Sequence, residues 1–137
     1  MASQAMTSLE MMRLVSTDAV RGATADLTAR QFALLLSVFM KPGPHAVRDL
    51  ARSLDLPKPA VTRALDVLER QGLVRRKRDK ADKREVSVHR TVKGAVFLYD
   101  YGETVAQRAE ETRQCPNWIP ASRPPGPILR LRTSRGA

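Results

Sequence analysis

Apolar side chains recur at three- and four-residue spacing in five segments of the chain, and two shorter runs have the character of strands. The spacing predicts helices over about residues 8–21, 28–40, 46–54, 58–71 and 92–113. The strand-like runs, residues 73–77 and 85–91, flank a charged turn and predict a hairpin. The predicted fold class is therefore mainly α with a small two-stranded β hairpin (α+β).

Capping residues and helix breakers mark the ends of these helices. Thr28, followed three residues later by Gln31, forms a capping box ahead of an apolar run. The segment Lys41-Pro42-Gly43-Pro44 ends that helix, because proline lacks the N–H that the helix needs. Gly72 lies where the fourth helix is expected to stop, and Thr91 is a suitable N-cap for the fifth.

The turn Asp55-Leu56-Pro57 has the length that joins the two helices of a helix-turn-helix. Three helices followed by a basic hairpin is the order of a winged helix-turn-helix. In that architecture the second helix of the motif enters the major groove of DNA, and the hairpin, called the wing, reaches flanking phosphates or the minor groove. We therefore predict a winged helix-turn-helix, with residues 58–71 as the recognition helix.

The predicted recognition helix begins with small or polar side chains and long hydrogen-bond donors. These are Lys58, Ala60, Thr62 and Arg63. Arg63 is the predicted base contact, because a guanidinium pairs with both acceptors on the guanine edge. Lys58 and Thr62 are expected to hold phosphates or to make secondary contacts. The alternative for Arg63 is a surface ion pair with Asp66 or Glu69.

Charge supports a polyanionic partner, either nucleic acid or an anionic membrane surface. The 137 residues contain 24 Lys and Arg against 14 Asp and Glu, a net charge of +10. Much of the excess lies in residues 75–93. The wing cations predicted to contact DNA are Arg76, Lys77, Arg78, Lys80, Lys83 and Arg84. The alternative is a charged hairpin that is merely solvated.

The sequence does not indicate a membrane protein, a secreted protein, a metal-binding protein or an enzyme. The longest apolar run, residues 32–40, is too short to span a bilayer, and residues 1–10 do not resemble a secretory signal, so a cytoplasmic location is expected. Cys115 is the only cysteine, and neither it nor the separated His45 and His89 suggests a metal site or a redox sensor. No catalytic set of side chains or phosphate-binding glycine loop is recognisable, so we expect neither an enzyme nor a cofactor.

At residues 27–94 the sequence resembles the MarR-type transcriptional regulators. LTARQFALL opens the second helix, VRDLARSLDLPKPAVTRALDVLERQGLV covers the helix-turn-helix, and RRKRDKADKREVSVHRTVKG covers the wing. The resemblance implies a homodimer on double-stranded DNA, with a small aromatic molecule as possible effector. It also implies that Arg84 reaches the minor groove and that Asp82 helps to orient it, as a carboxylate two residues away from a guanidinium is able to do.

Two positions of the winged domain depart from the family pattern. Pro57 stands where relatives usually have a helix-capping hydroxyl, so the recognition helix is expected to start differently or to be capped by backbone alone. Arg90 stands where the second wing strand usually ends in leucine. It either extends to the surface or weakens the contact between wing and body.

The predicted organisation has four parts. Residues 1–26 form an N-terminal dimerisation helix, residues 27–94 the DNA-binding domain and residues 95–115 a C-terminal dimerisation helix. Five prolines lie in residues 116–137, which are predicted to be a mobile basic tail in place of the family's last helix. Dimerisation is then expected either to rest on the first and fifth helices alone or to be lost.

The leading functional hypothesis is a sequence-specific DNA-binding transcriptional regulator. The alternative is a winged-helix interaction module that binds RNA or an acidic protein without sequence-specific recognition of DNA. The two hypotheses differ in one measurable property, because a regulator prefers its site over random DNA by roughly 10³-fold or more.

Overall fold

The structure, a computed structural model, describes residues 4–22 and 26–114. In chain order its elements are α1 (Gln4–Val20), α2 (Ala29–Met40), β1 (His45–Ala46), α3 (Val47–Ser53), α4 (Lys58–Arg70), β2 (Val74–Arg78), β3 (Val86–Arg90) and α5 (Val92–Gln114). The five predicted helices and both wing strands are present, with ends that differ by a few residues. The expectations for Cys115 and for the tail at residues 116–137 lie outside the described residues.

The predicted hairpin is confirmed as β2 and β3, but the sheet contains a third strand that the sequence analysis does not predict. His45 and Ala46 pair antiparallel with Val88 and Ser87, so the sheet has three strands in the order β1-β3-β2. A strand of two residues is too short to show alternation of apolar and polar positions, and its partner lies about forty residues away in sequence. The third strand joins the wing to the segment that leads into α3.

The hydrophobic core lies between α2, α3, α4 and the sheet. Its largest fully buried side chains are Leu34, Leu35, Val38, Val61, Leu65, Leu68 and Val74. The α4 members come from one face of the helix, at steps of three and four residues. The opposite face of α4 is therefore left for solvent or a partner.

The predicted capping residues occupy their expected positions. The Thr28 hydroxyl accepts the N–H of Gln31 at 3.3 Å, and the Gln31 side chain accepts the N–H of Thr28 at 3.0 Å, which completes the capping box. Gly72 follows α4 at φ +76°, a left-handed conformation that glycine adopts readily. The Thr91 hydroxyl accepts the N–H of Gly94 at 3.0 Å and donates to the Gly72 carbonyl at 2.7 Å. Thr91 thus caps α5 and joins it to the end of α4.

Gly94 brings the start of α5 unusually close to the chain that enters β2. A Cβ at this position would overlap the carbonyl oxygen of Leu73 and lie 2.6 Å from Cζ of Phe39. A hydrogen atom is the only side chain that fits there. Gly102, in the middle of α5, has nothing within 4 Å of the equivalent position.

Arg90 anchors the wing to the C-terminal end of α2. Its Nε donates to the Val38 carbonyl at 2.9 Å and its Nη2 to the Lys41 carbonyl at 2.8 Å. The guanidinium carbon lies 6.0 Å from the centroid of the Phe39 ring. Cations interact favourably with the unpaired carbonyls that end a helix. The arginine that replaces the family's leucine therefore makes a specific contact between wing and body.

Helices α1 and α5 pack against each other through an ion pair. Arg108 Nη2 and Nε donate to the two carboxylate oxygens of Asp18 at 2.7 and 2.8 Å. These hydrogen bonds hold the pKa of Asp18 below its ordinary value. Phe32 of α2 contacts Tyr101 of α5, with ring centroids 4.7 Å apart, so α5 also touches the winged domain.

The two glycines of α5 provide a matched test of the close approach at Gly94. We expect Gly94→Ala to lower the free energy of unfolding by about 1–3 kcal/mol, because the added methyl group overlaps backbone that cannot move freely. Gly102→Ala should raise it by about 0.5–1 kcal/mol, because alanine is the better helix former and the site is open. Urea unfolding of both variants measures the difference, and effects of the same sign would contradict this packing.

Candidate nucleic-acid interface

The recognition helix α4 begins without a side-chain cap. Pro57 occupies the N-cap position, and its carbonyl accepts the N–H groups of Ala60 at 3.0 Å and Val61 at 3.3 Å. Among the described residues no side chain caps this helix end. At Pro57, which stands where relatives usually have a capping hydroxyl, only the backbone carbonyl therefore caps the helix. Lys58 is the first residue of the helix and is exposed.

The outward face of α4 presents the predicted contact residues. Lys58 and Arg63 are exposed, and Ala60 and Thr62 are half-buried. The Nε of Arg63 lies 3.4 Å from the Pro59 carbonyl, one turn earlier in the same helix. Its guanidinium is therefore held along the outer surface of the N-terminal half of α4.

Arg76 differs from the other predicted contact residues, because two carboxylates of α4 hold its side chain. Its Nε donates to Glu69 at 2.6 Å and its Nη2 to Asp66 at 2.5 Å. Glu69 also accepts the backbone N–H of Arg76 at 3.4 Å. Asp66 and Glu69, which the sequence offered as alternative partners of Arg63, bind Arg76 instead. The three residues, here called the Arg76 cluster, join the recognition helix to the first wing strand.

Burial and hydrogen bonding act in opposite directions on Arg76. Its side chain is 23% exposed, and this partial burial disfavours the charged form. The hydrogen bonds from Glu69 and Asp66 outweigh that penalty, so the pKa of Arg76 is raised above its ordinary value. The arginine is charged at every physiological pH, and the cluster does not depend on titration of its cation.

The sheet register separates the wing cations onto two faces. Arg76 is paired with Val88 and Arg78 with Val86, and side chains at alternate positions share a face. Arg75 and Lys77 lie on the opposite face and are exposed. The predicted wing contacts therefore do not form one continuous row.

The wing loop presents the remaining predicted cations to solvent. Lys80, Lys83 and Arg84 are exposed, as is Arg78 at the end of β2. Asp82, predicted to orient Arg84, accepts the backbone N–H of Arg84 at 3.0 Å. This hydrogen bond shapes the loop backbone from which the Arg84 side chain extends.

Two grooves separate α4 from the wing. One, of about 340 Å³, is lined by Lys58, Arg84 and Asp82, together with Arg48 and Glu85, which the sequence analysis did not single out. The other, of about 360 Å³, is lined by Thr62, Arg76 and Arg78 among others. The described residues contain no group of three His, Cys, Asp or Glu side chains placed to hold a metal ion. Within the same residues, every helix is too short or too polar to cross a membrane.

A recognition helix beside a basic three-stranded wing defines a winged helix-turn-helix protein. Residues 25–85 match the model of the MarR family, and no curated protein sequence matches the chain. The matched residues span the helix-turn-helix and most of the wing, so this part of the chain is similar to the MarR family of transcriptional regulators.

Solved structures of similar fold include several regulators. S. aureus MepR in complex with DNA has a TM-score of 0.64 at 24% identity, and the match covers 82% of this chain and 88% of MepR. The transcriptional repressor CouR, bound to a 23-mer DNA duplex, has a TM-score of 0.60 at 28% identity, with coverage of 82% and 72%. The transcriptional regulator Tm0710 from Thermotoga maritima has a TM-score of 0.55 at 26% identity, with coverage of 80% and 68%.

The Arg76 cluster makes a prediction about stability. We expect Arg76→Gln to lower the free energy of unfolding by about 1 kcal/mol, because two charge-assisted hydrogen bonds are lost at a partly exposed site. Arg75→Gln removes the same charge from the neighbouring, exposed position and should change stability by less than about 0.5 kcal/mol. Urea unfolding compares the two variants. Equal effects would mean that the cluster does not join α4 to β2.

Proposed function

We propose that this protein is a DNA-binding transcriptional regulator that inserts the N-terminal half of α4 into the major groove and places the wing on the minor groove and its phosphates. The observation that carries the proposal is the separation of charge along α4. Two exposed cations, Lys58 and Arg63, lie in its first half, whereas its carboxylates, Asp66 and Glu69, lie further along and share one cation, Arg76.

This separation matters because DNA is uniformly negative. A carboxylate on the recognition helix repels phosphates unless a cation compensates it. Arg76, from the protein's own wing, offsets one of the two negative charges. The attraction of α4 for DNA is therefore strongest at its N-terminal end, where Lys58 and Arg63 lie.

The proposed roles follow from what each side chain is free to do. Arg63 contacts a guanine edge, Thr62 and Ala60 fit against neighbouring bases, and Lys58 contacts a phosphate. Arg84 enters the minor groove, with Asp82 shaping its loop. The other wing cations predicted to contact DNA, Lys77, Arg78, Lys80 and Lys83, contact phosphates. Arg76 differs from the predicted DNA contact, because its Nε and Nη2 are hydrogen-bonded to Glu69 and Asp66, and we assign it to positioning the wing.

The first test is selection of binding sites from a random-sequence duplex library. We expect enrichment of a defined site that the protein prefers over random DNA by roughly 10³-fold or more at physiological salt. Retention of DNA without enrichment of any sequence would contradict the proposed regulator.

The selected site then separates the roles of two arginines. Arg63→Ala should cost about 1–3 kcal/mol per half-site and relax the preference at one base position. Arg84→Ala should weaken binding to nearly all sequences and reduce the slope of log K against log salt by about one. Fluorescence anisotropy over a salt series measures both, and an unchanged preferred sequence in Arg63→Ala would show that another residue reads the base.

The alternative of a module for RNA or acidic proteins is not favoured. The family match covers the DNA-binding motif, and CouR and MepR, which share this fold, are bound to DNA in their solved structures. We also propose that the protein acts in the cytoplasm.

We further propose that the protein acts as a homodimer built from α1 and α5. Leu9 and Met12 of α1, and Val96 and Tyr99 of α5, are exposed apolar side chains at helical spacing. Light scattering should therefore give about twice the chain mass of 15.2 kDa. A monomer at every concentration and salt would contradict the dimer. The aromatic effector stays a prediction from the family resemblance.

A further inference from the structure

The groove between the start of α4 and the wing gathers cations from three different elements. Arg48 comes from α3, Lys58 from α4 and Arg84 from the wing loop, and all three line the same space of about 340 Å³. Because these side chains come from separate elements, they are placed to contact a small anion in the groove from several sides. The groove lies beside two residues, Lys58 and Arg84, that the proposed function assigns to DNA.

Two carboxylates line the same groove, and they have different partners. Asp82 accepts the backbone N–H of Arg84, so it stabilises the backbone of the wing loop. Glu85 forms an ion pair with Arg48. Neither partner of that pair is deeply buried, because the side chains of Arg48 and Glu85 are 65% and 36% exposed. An exposed ion pair contributes little to stability and is readily exchanged for another partner.

A phosphodiester group is a better binding partner for Arg48 than Glu85 is. A guanidinium binds the oxygens of a phosphate through two parallel hydrogen bonds, as it does those of a carboxylate. The phosphate additionally meets Lys58 and Arg84 in the same groove. Each phosphate neutralised by a basic side chain also releases counterions from DNA, a gain that an internal carboxylate does not provide.

We propose that this groove binds one backbone phosphate of DNA and that Glu85 competes with that phosphate for Arg48. The inference rests on the proposed function and adds Arg48 to the DNA contacts. Glu85 thereby lowers the affinity for any DNA, independent of sequence. The base contacts proposed for α4 do not involve this pair, so the preference of the protein for one DNA sequence over another still comes from the recognition helix.

The test uses the full chain and a random-sequence duplex, so that it does not need a known binding site. We expect Glu85→Gln to raise the affinity about five-fold and to steepen the salt dependence, because Arg48 no longer exchanges partners. Adding Arg48→Gln to that variant should remove the gain and reduce the slope of log K against log salt by about 0.9, the contribution of one phosphate. Fluorescence anisotropy over a salt series measures each variant.

Matched controls separate the groove from net charge alone. Glu103→Gln removes an exposed carboxylate from α5, and Arg70→Gln, added to Glu85→Gln, removes an exposed cation from the far end of α4. Each should change the affinity by less than about two-fold, since neither residue lines the groove. The inference is overturned if Glu85→Gln has no larger effect than Glu103→Gln, or if Arg48→Gln has no larger effect than Arg70→Gln.

The same experiment distinguishes the two proposals. Wild-type protein that binds no DNA at low salt would contradict the proposed function, and this inference with it. Wild-type protein that binds DNA while the Arg48 and Glu85 variants behave like their controls would contradict this inference alone. Thermal unfolding of each variant confirms that the differences arise in folded protein.

Discussion

The hydrogen bonds of Arg76 to Asp66 and Glu69 determine where the wing lies relative to the recognition helix. A two-stranded wing attached only by its loops would pivot about its base, because an isolated hairpin has few contacts of its own. The guanidinium is rigid and planar, and it binds two carboxylates that lie one turn apart on α4. The wing strand and the helix are thereby held as one surface.

The wing has further anchors on its other sides, and each joins it to a different helix. Arg90 ends the second wing strand at the carbonyls of α2. β1 pairs along the other side of β3 and leads directly into α3. The close contact at Gly94 fixes the start of α5 against the chain that enters β2. Contacts with four helices therefore give the wing one orientation, as the proposed contact with two grooves of DNA requires.

Local sequence signals were sufficient to predict most elements, and they failed where the contacts are distant in sequence. The capping box at Thr28 and the glycine at the end of α4 involve residues within one or two turns of each other, so their spacing alone is informative. Arg76 was assigned to DNA because charge runs do not reveal which cation has an internal partner. Its two carboxylates lie seven and ten residues earlier, on a different element. The same limitation hid the pairing of Arg48 with Glu85 and the contact of Arg90 with α2.

In the proposed DNA-binding surface of α4 and the wing, Arg76 is an internal residue, and Arg63 and Arg84 are external ones. Nitrogen-15 NMR of the arginine Nε–H groups, in free protein and with selected DNA bound, distinguishes the two kinds of arginine. We expect large shifts for Arg63 and Arg84, and an Arg76 resonance that stays slowly exchanging and nearly unmoved. Release of Arg76 from Asp66 and Glu69 on binding, with Arg63 and Arg84 unchanged, would contradict this assignment.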